Sequence, residues 1–176
     1  MKENNVYMLV ALRRNKDKEN ENLSPLCRRH LVTGDYNENL SELKERCHEP
    51  GLWRIYRSVN KRDLTKAMKK LQIELIENGE NIKDNISSKW KSILMKSNCK
   101  SEKGWLIDID TKDSKLYNEV VSYLENNTEV SEIKETPNGY HVIVKPFDSR
   151  EFHKLYVSEE VCIKKDALIF VEMYKN

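Results

Sequence analysis

A chain of 176 residues with 38% hydrophobic and 34% charged residues is the size of one ordinary domain and carries enough apolar material for a core. Its formal net charge of only +2 excludes any argument from overall charge for a nucleic-acid coat or a membrane-surface protein, so a polyanion site has to be local. No apolar run reaches the roughly 20 residues of a membrane-spanning helix, the start lacks the apolar centre of a signal peptide, and Cys27, Cys47, Cys99 and Cys162 are too scattered for a disulfide framework. A cytoplasmic protein with free thiols is expected.

In chain order, Val6 to Leu12 reads as a strand that ends in Arg13-Arg14, and the polar segment 15–22 is expected to be a mobile loop. The region from Pro25 to Pro50 is less regular, with a short helix near Leu40 to Arg46. Leu52 to Val59 alternates apolar and polar residues as a strand does. Asp63 stands where a helix N-cap belongs, followed by Leu64, Ala67, Met68, Leu71, Leu75 and Ile76 at helical spacing. The stretch from Gly79 to Asn85 ends that helix, and Ser87 to Met95 reads as another.

From Gly104 the pattern is more regular. Trp105 to Ile109 is a strand, Ser114 to about Glu125 a helix capped by Asp113, and Val130 to Thr136 a strand. Pro137-Asn138-Gly139 turns the chain into a strand from Tyr140 to Val144. Ser149 to Tyr156 forms a short helix, and Val161 to Tyr174 reads as a last strand with an interruption near Lys164 to Asp166. The expected fold is α+β, a ferredoxin-like (RRM-like) split βαββαβ unit over 104–176 with a smaller N-terminal α/β lobe over 1–103, together one domain.

That topology has a chemical consequence. Right-handed crossovers leave the first strand of the unit central and antiparallel to both neighbours. Asp108 and Asp110 at its C-terminal end, with His141 and Asp166 at the N-terminal ends of the third and fourth strands, are then expected to meet at one sheet edge. Asp108 and Asp110, two apart on a strand, share a face. Two such carboxylates repel unless a cation lies between them, and hard oxygen ligands suit Mg²⁺ or Mn²⁺. Asp166 is expected as the third carboxylate, with Glu172 as the fallback. On its own, Asp-x-Asp more often merely ends a strand and caps a turn.

The segment Trp105-Leu106-Ile107-Asp108-Ile109-Asp110 resembles the hydrophobic-Asp-hydrophobic-Asp motif of archaeo-eukaryotic-type primases, and Thr136-Pro137-Asn138-Gly139-Tyr140-His141-Val142 resembles their small-x-His motif. Tyr56 to Arg62 is similar to an Asn-Pro-Arg-like segment of primase-polymerases, with Lys61 where proline is usual. Asp166 departs from the family's third motif because Lys165 precedes it. The resemblance covers mainly residues 52 to 174 and extends to short phage-type relatives.

It implies a DNA-directed primase or polymerase-type nucleotidyltransferase. Nucleoside triphosphates would be joined on a single-stranded nucleic-acid template, with a separate helicase or replication protein as a candidate partner. Asp108, Asp110 and Asp166 would hold the metal, His141 would contact triphosphate, and Arg57, Asn60 and Arg62 would support nucleotide or template. The alternative is a non-catalytic module that binds nucleotide or nucleic acid.

Weaker signals compete with this reading. Cys27, His30, Cys47 and His48 could form a zinc site, although the adjacency of the last two makes joint coordination awkward. The basic clusters at Arg13-Arg14, Arg28-Arg29, Arg54 to Arg62 and Lys164-Lys165 read by default as solvated faces. There is no Walker-type glycine loop and no nucleophile elbow.

Overall fold

The computed structural model describes residues 4–176. In chain order the elements are β1 (Asn5–Val6), β2 (Met8–Arg13), β3 (Leu26–Leu31), α1 (Tyr36–Glu45), β4 (Leu52–Ser58), β5 (Arg62–Asp63), α2 (Leu64–Ile82), α3 (Ile86–Leu94), β6 (Trp105–Ile109), α4 (Ser114–Asn127), β7 (Val130–Glu135), β8 (Tyr140–Val144), α5 (Arg150–Leu155), β9 (Val161–Lys164) and β10 (Leu168–Lys175). The fold is α+β.

The alternation in β2 and β4 divides their side chains between two faces of an antiparallel sheet ordered β10-β4-β2-β3. On one face Leu9, Ala11, Trp53 and Ile55 are buried against Leu43 of α1 and Cys47 just beyond it. On the other, Met8 and Val10 pack on Ala67 and Leu71 of α2 and on Ile93 and Leu94 of α3. Fully burying side chains of this size is worth about 1.5–3 kcal/mol each before the entropy of ordering them is subtracted.

The second sheet is ordered β7-β8-β6-β9, with β6 central and antiparallel to both neighbours. Ile107, Ile109, Val142, Val144 and Val161 face Val120 and Leu124 of α4 and Phe152 of α5. The Asp113 carboxylate caps α4 by accepting from the N–H groups of Lys115 and Leu116. The opposite face of this sheet meets the first sheet through a small cluster of Leu106, Ile143, Val59 and Ile169. That contact sets the distance between the two sheets, and a polar cleft opens beside it.

Several expectations are corrected. The run from Val161 to Tyr174 is two strands in different sheets: β9 pairs with β6, whereas β10 pairs with β4. The charged Lys164-Lys165-Asp166 interruption is where the chain leaves one sheet for the other. The division at residue 103 therefore does not separate the two sheets, because β10 is an edge strand of the first. β3 carries Cys27-Arg28-Arg29-His30 without apolar alternation, which an edge strand does not need. The segment 15–22 is packed, with Asp17 and Asn20 buried. α2 runs past Gly79 to Ile82, with a local kink at Asn78. Its Met68, Leu75 and Ile76 are exposed, so the apolar spacing overstated the face that meets the core. No helix among the described residues is long and apolar enough to cross a membrane.

Candidate active site

The cleft begins at the C-terminal end of β6. Asp108 lies directly opposite His141 on β8 and Cys162 on β9, so the three share the sheet face turned toward the first sheet. His141 is 9% exposed. Its Nδ1 accepts the backbone N–H of Phe170 at 2.9 Å, and its Nε2 is 3.2 Å from Asp108 Oδ1. Because the Nδ1 lone pair is engaged, the proton of the neutral ring sits on Nε2 and is donated to Asp108. His141 therefore presents an N–H to the cleft, which suits an anionic oxygen and does not suit a metal ion.

The Nζ of Lys164 also donates to Asp108, on the other carboxylate oxygen. Burial pushes the Asp108 carboxyl up, but hydrogen bonds from His141 and Lys164, with the charge on Lys164, outweigh it and hold the group below its ordinary value. Lys164 is shifted the opposite way: burial disfavours its charge, yet Asp108 raises it above the ordinary lysine value.

The turn before β8 is built against this strand. The Thr136 N–H donates to the Gly139 carbonyl at 2.9 Å, and the Gly139 N–H donates to Thr136 Oγ1 at 3.0 Å. A Cβ on Gly139 would stand 1.8 Å from the Ile109 carbonyl oxygen and 2.8 Å from the Thr111 nitrogen. The turn thus presses on the backbone either side of Asp110, and only glycine permits the approach. The Asp110 N–H is tied on the other side to the Glu160 carbonyl at 2.7 Å.

The facing wall comes from the first sheet and the β2–β3 connection. Arg14, Lys16, Asp17, Arg54, Tyr56 and Phe170 line it, and with Asp108, Asp110, His141 and Lys164 they enclose about 490 Å³. Asp17 is 6% exposed and accepts from Arg14 at 3.0 Å and from Arg54 at 2.6 and 3.1 Å. Burial raises its carboxyl, but these two guanidinium groups bring it below its ordinary value. Asn20 anchors the same connection, donating to the Leu52 carbonyl at 2.7 Å and accepting from the Leu52 N–H at 2.8 Å. Gly51, at φ +126°, leaves room for it, since a Cβ there would lie 2.6 Å from Asn20 Oδ1.

The structure brings Asp108, Asp110 and His141 together and leaves the other expected site residues elsewhere. Asp166 is held by the 1% exposed Arg62 through two bonds of 3.1 and 2.7 Å. Since Leu106 pairs with Lys164, Asp166 falls level with residue 104, about 13 Å along the strand from Asp108 at the usual rise. Glu172 is opposite Ile55 on the α1 side of the first sheet and pairs with Lys44 at 2.7 Å. Asn60, fully buried, holds Gly104 by two bonds of 3.1 and 2.5 Å. Arg57 pairs with Glu132 at 2.5 Å, lies 4.6 Å over the Tyr7 ring and lines a separate cavity of about 580 Å³.

The zinc set does not assemble either. His30 bonds Asn39 and Glu42, His48 is exposed, and burial pushes the Cys47 thiol up to about 11, which keeps it protonated. Among the described residues no group of three or more His, Cys, Asp or Glu is positioned to hold a metal. Arg14, Lys16, Arg54, Tyr56 and Lys164 are the cleft residues that sequence reasoning missed. Three of them belong to the basic clusters read as solvated faces, and a buried acid such as Asp17 between them leaves no sequence pattern.

No protein-family model, curated protein or solved structure matches the chain. The reading of the cleft therefore rests on its own chemistry.

Proposed function

We propose that the chain is a primase-like nucleotidyltransferase that joins nucleoside triphosphates on a single-stranded nucleic-acid template. The observation that carries this reading is the fixed Nε2–H of His141 beside the same-face carboxylates Asp108 and Asp110, in a cleft whose other wall is cationic. The strand order β7-β8-β6-β9 with α4 and α5 on one face supports the ferredoxin-like split unit that such enzymes are built on.

Four cations (Arg14, Lys16, Arg54, Lys164) against three carboxylates (Asp17, Asp108, Asp110) favour a polyanionic guest. Asp17 fixes the guanidinium groups of Arg14 and Arg54 in advance, so little ordering remains when a triphosphate arrives. His141 donates its Nε2–H to a phosphate oxygen, and Lys164 exchanges Asp108 for phosphate.

Asp108 and Asp110 suit one Mg²⁺ or Mn²⁺ shared with the substrate, because such ions are commonly held by one or two carboxylates plus phosphate oxygens. They do not suit an all-protein cage, since the expected third ligand, Asp166, is engaged by Arg62. When bound, the ion supplies charge neutralisation on the phosphates and activates the attacking hydroxyl.

A labelled nucleoside triphosphate, Mn²⁺ and a single-stranded template should give labelled polymer with the unmodified chain and none with Asp108→Asn/Asp110→Asn. Equal yields from both would refute the assignment. The Lys164 ammonium on Asp108 motivates a second reading, a non-catalytic module that binds nucleotide and releases it unaltered. Saturable nucleotide binding with no polymer under any metal would select that module.

A further inference from the structure

At the far edge of the first sheet lie cations that find no counter-charge among the described residues. On the edge strand β3, Arg29 is opposite Val10, which is opposite Tyr56; in the next row Cys27 is opposite Leu12, which is opposite Arg54. Residues opposed across a sheet share a face. Arg29 is therefore on the same face as the cleft residues Tyr56 and Arg54, two strands or about 10 Å away.

There Arg29 Nη1 donates to Ser92 Oγ at 3.0 Å, and Arg46 Nη1 to the Arg29 carbonyl at 3.3 Å. Lys91 of α3 joins them, with Ser88, around a concavity of about 380 Å³. The carboxylates nearby are used elsewhere, Glu49 by Arg28 and Glu42 by His30. Among the described residues Arg29, Arg46 and Lys91 form no ion pair.

Burial, followed by the charges of Arg46 and Arg29, holds the Lys91 ammonium below its ordinary value, as expected of cations gathered without an anion. Arg46 caps the C-terminus of α1 and Lys91 lies in the last turn of α3, where a cation complements the helix dipole. That accounts for each separately but not for their convergence with Arg29 on one concavity.

We propose that Arg29, Arg46 and Lys91, with the hydroxyls of Ser88 and Ser92, bind backbone phosphates of a nucleic-acid strand that skirts the helices covering Val10 and continues along the open Cys27, Leu12 and Arg54 row into the cleft. The identity of the polyanion rests on the template-directed reading of the cleft. Anisotropy of a fluorescein-labelled oligothymidylate, titrated over a series of salt concentrations, tests it without nucleotide or divalent ion.

Arg29→Gln/Lys91→Gln should bind about tenfold more weakly, with a salt slope shallower by about 1.4, the share of two phosphates on a single strand. Relief of like-charge repulsion should leave its melting temperature unreduced. Should the double variant fail to fold, Lys91→Gln alone should reduce the slope by about 0.7. Affinity and slope equal to those of the unmodified chain would overturn the proposal. If the variant weakens binding while the unmodified chain never incorporates nucleotide, the surface stands and only the catalytic reading of the cleft falls.

Discussion

The Arg62 guanidinium sits at 1% exposure with both Asp166 oxygens in reach, and its partner keeps 17%. Removing one member of such a pair leaves the other desolvated without compensation, so Arg62→Met should cost about 3 kcal/mol in urea denaturation. Asp166→Asn should leave nucleotide incorporation per folded molecule intact, because its carboxylate serves the fold and not the cleft. Asp17 is the comparable group within the cleft. Its folded-state value lies below the unfolded one, so it adds stability above about pH 3.9 that is lost as pH falls through the folded value. Asp17→Asn should therefore lower the melting temperature at neutral pH and flatten its decline below about pH 4.

At the scale of elements, β6 and β8 carry the cleft chemistry, and the turn between β7 and β8 holds the end of β6 in place. Gly139→Ala must move either that turn or the Ile109–Thr111 backbone. It should cost about 2 kcal/mol of stability, with nucleotide incorporation falling further than the loss of folded protein explains. β6, α4, β7 and β8 were legible in the sequence because their apolar spacing, the Asp113 cap and the glycine turn all agree. Asp108, Asp110 and His141 were legible for the same reason, since neighbouring strands fix their register. β3 was not, as an edge strand can hold three polar residues in succession. Nor was the fate of β10, because an apolar strand does not record which sheet it joins. Asp166 was misplaced through that one error.

For the molecule as a whole, the cleft exists because two antiparallel sheets meet through a small apolar contact and the chain passes between β9 and β10 from the edge of one to the edge of the other. The Phe170 N–H on β10 orients His141 on the second sheet, so a hydrogen bond joins the two halves of the site directly. The cationic lining of the cleft was illegible because Arg14, Arg54 and Lys164 belong to segments far apart in sequence that only the packing of the two sheets unites. A crystal grown with Mn²⁺ and a non-hydrolysable nucleoside triphosphate tests this arrangement most directly. The account predicts an anomalous manganese peak on the Asp108 and Asp110 carboxylates, with the triphosphate reaching His141 Nε2 and Lys164 moved off Asp108. A nucleotide bound outside the cleft, or an ion held by Asp166, would contradict it.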